Sequence, residues 1–271
     1  MKVLKYLTFL IAILSFIPAA SYINLAVSGE QNYLPDSFNV AMGFFDRDSS
    51  ETTNSNSTSE TIKIASWNIR DFGKSKATDP FRMRKMASII NGFDIIAIQE
   101  ISNIREQADP GCPRNENDCP GHGNCNLIRN ALELYLNTEQ SANYRFIFSP
   151  QIKDERYLFI YDPDTVTLIE ASLVVDPGDS QPICASSPAN TGRMVRQPFK
   201  GRFRAGSFDF VLLTAHTRPS DNVNELEGLE DFYKDTESRG EPDIIILGDL
   251  NADCEYLGPS DNVDLKGPEY I

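Results

Sequence analysis

The 271-residue sequence predicts an α+β sandwich: two packed, mostly antiparallel β-sheets flanked by helices. Two observations carry that expectation. Short apolar runs of strand length outnumber amphipathic helical stretches. The composition, 41% hydrophobic and 24% charged, is that of a chain with enough apolar mass for a sizeable core.

The elements follow in order. Ile62 to Ile69 reads as a strand, and Asp94 to Ile98 as a strand buried on both faces. Between them Asp79 is a helix N-cap and Pro80 takes the first helical position. Met83, Met86 and Ile90 share one face, and Gly92 stops the helix. A second helix is expected over Leu127 to Asn137, followed by strands at Tyr144–Phe148, Arg156–Tyr161 and Val166–Ile169. Phe199–Arg204 and Phe208–Thr214 form a hairpin around Gly206. A helix from about Asn222 to Glu237 then leads into a buried strand, Asp243–Leu247.

The chain divides into three parts. Residues 1–28 read as a signal peptide or an N-terminal anchor. Lys2 and Lys5 precede the apolar run Tyr6 to Ile17, and Pro18, Ala19, Ala20 and Ser21 follow. Cleavage after Ser21 and cleavage after Ser28 both fit, as does an uncleaved anchor, so the protein is expected to be secreted or to face outside the cytosol from a membrane. Residues 29–61 read as a polar disordered tether, on the strength of the Ser/Thr-rich stretch at 48–61. Residues 62–271 form the folded domain.

Five cysteines, Cys112, Cys119, Cys125, Cys184 and Cys254, suit an exported protein with disulfides, though the odd count leaves one unpaired within the chain. Cys112, Cys119, His122 and Cys125 could hold zinc in principle, but the spacing matches no established zinc module. A disulfide-pinned surface insertion fits better. The net charge of −14 argues against a broad cationic surface for nucleic acid, so a phosphate-bearing substrate must be met locally, by a few arginines or a metal.

Polar residues crowd the carboxyl ends of the buried strands: Trp67-Asn68-Ile69-Arg70, Ile98-Gln99-Glu100, Thr214-Ala215-His216 and Leu247-Gly248-Asp249-Leu250-Asn251. Glu155 precedes another strand. One imidazole, three carboxylates, three carboxamides and a guanidinium suit metal-assisted attack on a phosphate ester.

These blocks, with Glu155-Arg156-Tyr157-Leu158-Phe159, Ala215-His216-Thr217-Arg218-Pro219-Ser220-Asp221 and Gly248-Asp249-Leu250-Asn251-Ala252-Asp253-Cys254, resemble the endonuclease/exonuclease/phosphatase superfamily, and within it the deoxyribonuclease I-like branch. The resemblance runs from about Ile62 to Tyr256. It implies that Glu100 ligates a divalent metal, Mg²⁺ or Mn²⁺, with Asn68 close to the metal and the scissile phosphate. Ca²⁺ is a further candidate, at the Asp176–Asp179 loop. His216 and Glu155 would form an acid/base couple. Asp249 and Asn251 would position the phosphate and a second imidazole, and Arg70 and Arg196 would bind phosphates. Ser102 and Lys153 depart from the branch, where an arginine and a groove-stacking tyrosine are usual.

The branch also ends with a Ser-Asp-His segment that these residues do not include. The resemblance therefore implies a C-terminally truncated sandwich with its last strands missing, a Cys254 separated from its partner, and a 1–271 fragment without nuclease activity. The function implied is that of a secreted, metal-dependent endonuclease that hydrolyses DNA phosphodiester bonds to 5′-phosphate products, with no stable protein partner and membrane contact only if the N-terminal segment stays uncleaved. The alternatives are a secreted phosphodiesterase or phosphatase of the same superfamily acting on lipid or small phosphate esters, and a non-catalytic binding module that keeps the fold.

Overall fold

The computed structural model describes residues 61–102, 124–152, 155–174, 194–240, 243–252 and Val263, with the backbone of 40–45. The leader, all but the last residue of the 48–61 stretch, Lys153, the Asp176–Asp179 loop, and all the cysteines but Cys125 lie outside the described residues. Among the described residues no helix is long and apolar enough to cross a membrane.

Two sheets pack face to face. The first holds β1 (Val40–Phe45), β2 (Ile62–Phe72), β3 (Ile95–Ser102), β4 (Arg145–Phe148) and β5 (Glu155–Tyr161), in the order β1-β2-β3-β5-β4. The second holds β6 (Thr167–Leu173), β7 (Phe199–Ala205), β8 (Phe208–His216) and β9 (Ile244–Asp249), in that order. Only β2 with β3 and β8 with β9 run parallel; every other pair is antiparallel. The expected sandwich is what the chain forms. The edge strand β1 has no counterpart in the sequence reading and lies within the 29–61 segment; its Val-Ala-Met-Gly-Phe-Phe run is apolar, unlike the 48–61 stretch that defines the tether.

Period-two alternation along the strands explains three apolar layers. Ile64 on β2 and Ile95 and Ala97 on β3 face the second sheet and pack with Phe159, Phe199, Phe203, Phe210 and Leu247. Phe159 stacks on Phe199 at 5.0 Å and meets Phe203 edge-on at 5.5 Å, contacts of about 0.5–1.5 kcal/mol each beyond area burial. Ala65, Trp67, Ile96 and Ile98 point the other way, onto α2 (Pro80–Ile90) and α3 (Cys125–Leu132). Val211, Leu213 and Ile246 pack beneath α4 (Asn222–Ser238).

The helices form where capping and apolar spacing coincide. Asp79 caps α2 by accepting from the amides of Phe81 at 3.0 Å and Arg82 at 3.2 Å, with Pro80 at the first position, and Met83, Met86 and Ile90 are buried as the spacing predicts. The helix expected over Leu127 to Asn137 instead ends at Leu132 and widens into a π-helical turn, Glu133–Thr138. There the Asn137 carboxamide leaves the helical pattern to bond both the amide and the carbonyl of Tyr144, at 2.8 and 3.0 Å.

Each parallel pair is a strand-helix-strand unit, and its short crossover brings both carboxyl ends to one edge. Because β9 lies over β2 and β3, the four ends meet there. Gly248 makes the β9 end possible. At φ 147° it adopts a conformation L side chains rarely take, and a Cβ would stand 1.9 Å from the Ala215 carbonyl oxygen on β8. Gly248→Ala should cost about 3 kcal/mol or more, since β8 and β9 would have to part. A chemical denaturation midpoint unchanged from the parent would contradict this.

Candidate catalytic site

Four strand ends converge. Asn68 leaves β2, Glu100 β3, His216 β8 and Asp249 β9, the last two opposite each other in the ladder. The Asn68 amide donates to Glu100 Oε1 at 2.7 Å and to Asp249 Oδ2 at 2.8 Å, so one NH₂ group bridges two carboxylates. Its own oxygen accepts from the Arg70 amide at 2.8 Å. That network fixes the carboxamide orientation, because the flipped amide would set its oxygen against both carboxylates.

His216 is buried between this pair and Glu155. Its Nδ1 lies 2.9 and 3.1 Å from the two Glu155 oxygens. Nε2 faces Glu100 Oε1 at 4.0 Å and Asp249 Oδ2 at 3.9 Å. With Nδ1–H given to Glu155, Nε2 is the nitrogen left to exchange a proton with a substrate or water. The imidazole is further held through the main chain, since the His216 amide donates to the hydroxyl of the fully buried Tyr157 at 2.9 Å. Burial keeps that phenol well above its ordinary value, so it stays neutral and in place.

Burial pulls the His216 imidazolium down, but the Glu155 hydrogen bond and charge, helped by Asp249, outweigh it and leave the group above its ordinary value. A raised folded value means the pair's contribution to stability is fully present below about pH 6.5 and is lost as the pH rises through the folded value. In a proton NMR titration of the metal-free protein, His216 should titrate above about 6.5, and Glu155→Gln should bring it below that value because burial then prevails. A parent His216 titrating at or below 6.5 would contradict the assignment.

The other candidates surround this centre. Arg196 is half-buried, with Nε 2.9 Å from Glu155 Oε1, whereas Arg70 is exposed. Asn251, at φ 43°, donates its amide to Asp249 Oδ1 at 3.2 Å and its side-chain NH₂ to the Thr217 carbonyl at 2.8 Å. Thr217 and Asn222 hold the Leu250 carbonyl, and Asn222 also bonds that of Asn251 at 2.9 Å. Tyr157 and Thr217 sit inside the blocks quoted above and Asn222 just after one of them, but the role of each is a backbone bond that residue type alone does not announce.

Glu100 and Asp249 offer oxygen donors only. Among the described residues no thiolate stands near, and no three His, Cys, Asp or Glu groups come together as a preformed cage. Two carboxylates set side by side fit a small hard cation, which is commonly held by one or two carboxylates with the rest supplied by water and substrate phosphate.

An α/β/β/α sandwich with an acid-lined site at the ends of two parallel strand pairs defines the class, and residues 65–267 match the model of the endonuclease/exonuclease/phosphatase family. The chain belongs to that family. It is 30% identical over 207 residues to deoxyribonuclease-1 of Oryctolagus cuniculus, covering 73% of this chain and 64% of that protein. To deoxyribonuclease-1-like 2 of Homo sapiens it is 29% identical over 215 residues, covering 74% and 65%. Its resemblance is thus to the deoxyribonuclease I-like branch, and it spans just under two thirds of these relatives' length. A solved endonuclease/exonuclease/phosphatase family protein from Bacteroides thetaiotaomicron aligns with 75% of this chain and 67% of its own at 15% identity, with a TM-score of 0.48.

Proposed function

We propose that the protein is an exported, metal-dependent endonuclease that hydrolyses DNA phosphodiester bonds and leaves 5′-phosphate ends. The observation that carries the reading is His216, with Nδ1 on Glu155 and Nε2 turned toward the Asn68-bridged pair Glu100 and Asp249. Relatives named as deoxyribonucleases support DNA as the substrate.

Glu100 and Asp249 would hold Mg²⁺ or Mn²⁺. A bound hard cation supplies charge neutralisation at the phosphate, without which two carboxylates would repel it. His216 Nε2 takes a proton from the attacking water, while Glu155 keeps Nδ1–H oriented and favours the imidazolium that results. The second N–H of Asn251 would donate to a phosphate oxygen, while the Asn68 NH₂, spent on Glu100 and Asp249, would hold the two carboxylates side by side. Arg70, exposed at the rim, and Arg196, steadied by Glu155, would bind the flanking phosphates.

Export draws support from the apolar leader and from Cys125, which is fully buried at the head of α3 and disulfide-bonded. The test is incubation of supercoiled plasmid with the protein and Mg²⁺, with the new ends analysed. Ligatable 5′-phosphate ends support the reading. Cleavage of lipid headgroup or sugar phosphates with plasmid left intact would replace it.

A further inference from the structure

We infer that Lys76 is a positioning residue for Glu100: its ammonium clamps a strained bulge whose backbone amide fixes that carboxylate, and so sets the affinity of the site for a divalent cation. The inference rests on the reading of Glu100 as a metal ligand.

Glu100 stands where the strand ladder fails on both sides. Toward β2, Asn68 faces Gln99 and Phe72 faces Ile101, which leaves Ile69, Arg70 and Asp71 opposite Glu100 alone. Toward β5, Ile98 faces Leu158 and Ile101 faces Arg156, so Gln99 and Glu100 share Tyr157. Glu100 itself has φ 59°. Regular pairing therefore does not fix its side chain. What does is the Asn68 amide on one oxygen and the Asp71 backbone N–H on the other, at 3.0 Å.

That N–H is aimed by two consecutive left-handed residues, Arg70 at φ 49° and Asp71 at φ 54°, neither of them glycine. Such a pair is disfavoured for L residues and persists only where surrounding bonds impose it. Lys76 supplies two of the imposing bonds, beside the Arg70 amide on Asn68 Oδ1 at 2.8 Å and the Gly73 amide on the Asp71 carbonyl at 2.8 Å. From α1 (Lys74–Ala77) its Nζ donates to the carbonyl of Arg70 and, at 3.3 Å, to that of Asp71. Gly73 lets α1 approach closely enough, since a Cβ there would lie 2.9 Å from the Ser102 Cβ. The path runs from the Lys76 ammonium to two carbonyls, from their bulge to the Asp71 amide, and from that amide to Glu100.

Charge and position predict opposite signs. An ammonium beside a cation site weakens cation binding by repulsion, so its removal should tighten binding if charge were its only effect. Loss of the clamp should loosen it. Mn²⁺ binding to the full chain, read from the free-ion electron paramagnetic resonance signal, separates the two and needs no nuclease activity. Lys76→Met should bind Mn²⁺ at least about tenfold more weakly than the parent, in the range by which ligand-supporting residues change metal affinity. Lys76→Arg, which retains charge and donors, should stay within about twofold, and Lys74→Met, which removes the same charge from the same helix, should bind equally or more tightly. If Lys76→Met does not fold, Lys76→Gln, too short to span both carbonyls, takes its place with the same expectation. Binding by the Lys76 variant as tight as or tighter than the parent overturns the clamp. A Glu100→Gln variant that binds Mn²⁺ as the parent does would instead overturn the metal-site reading beneath it.

Discussion

His216→Ala should slow Mg²⁺-dependent DNA cleavage by about two to four decades, the range of a positioned acid/base group, with the far-ultraviolet circular dichroism unchanged. The expectation comes from geometry. Nε2 is the one ring nitrogen not engaged by Glu155, and it faces the two carboxylates at 3.9 and 4.0 Å, close enough for a water or ester oxygen to lie against it. Glu155→Gln should cost a comparable factor by a different route. A carboxamide can still accept from Nδ1–H, but it cannot stabilise an imidazolium as a carboxylate does, so the nitrogen becomes a weaker base. The double variant should be little worse than either single one, because the pair acts as a unit. A loss of tenfold or less in both singles would demote the couple to a buried structural pair.

Much of this site was legible because it lies where buried strands end. Polar residues immediately after Ile98 and Ala215, and one glycine beyond Leu247, break apolar runs that otherwise need none, and their order along the chain matches the family blocks. The sandwich was legible for the same reason: alternation reports which face a residue takes, and Ile64 and Trp67 do take opposite faces. Alternation cannot report a bulge. The left-handed residues at Arg70, Asp71 and Glu100 follow from bonds among residues distant in sequence, and no side-chain pattern marks them. Arg196 shows a second limit. An arginine near a phosphate site reads as a phosphate ligand, yet its Nε lies 2.9 Å from Glu155, where it also draws down the basicity of His216. Its pairing depends on the fold of the 194–198 segment, which the sequence left unassigned.

Chelation should abolish cleavage, and Glu100→Gln should reduce it by about three decades or more in Mg²⁺. Several kcal/mol of charge stabilisation at the phosphate come from a bound hard cation, and each 1.36 kcal/mol is tenfold in rate. Glu100, as the proposed ligand, is the residue most exposed to this loss. Both its oxygens are already oriented, one by the Asn68 amide at 2.7 Å and one by the Asp71 amide at 3.0 Å. A glutamine in its place must turn its NH₂ toward one of those two donors, so the substitution removes a charge and also breaks the alignment of the site. The remaining carboxylate, Asp249, would hold the ion alone, and raising Mg²⁺ should recover part of the rate in Glu100→Gln but none in His216→Ala, whose defect is proton transfer rather than binding. Rates measured over a Mg²⁺ series for both variants decide the point. Undiminished cleavage in excess EDTA, or a Glu100→Gln enzyme as fast as its parent at low Mg²⁺, would show that the chemistry runs without a cation at this pair.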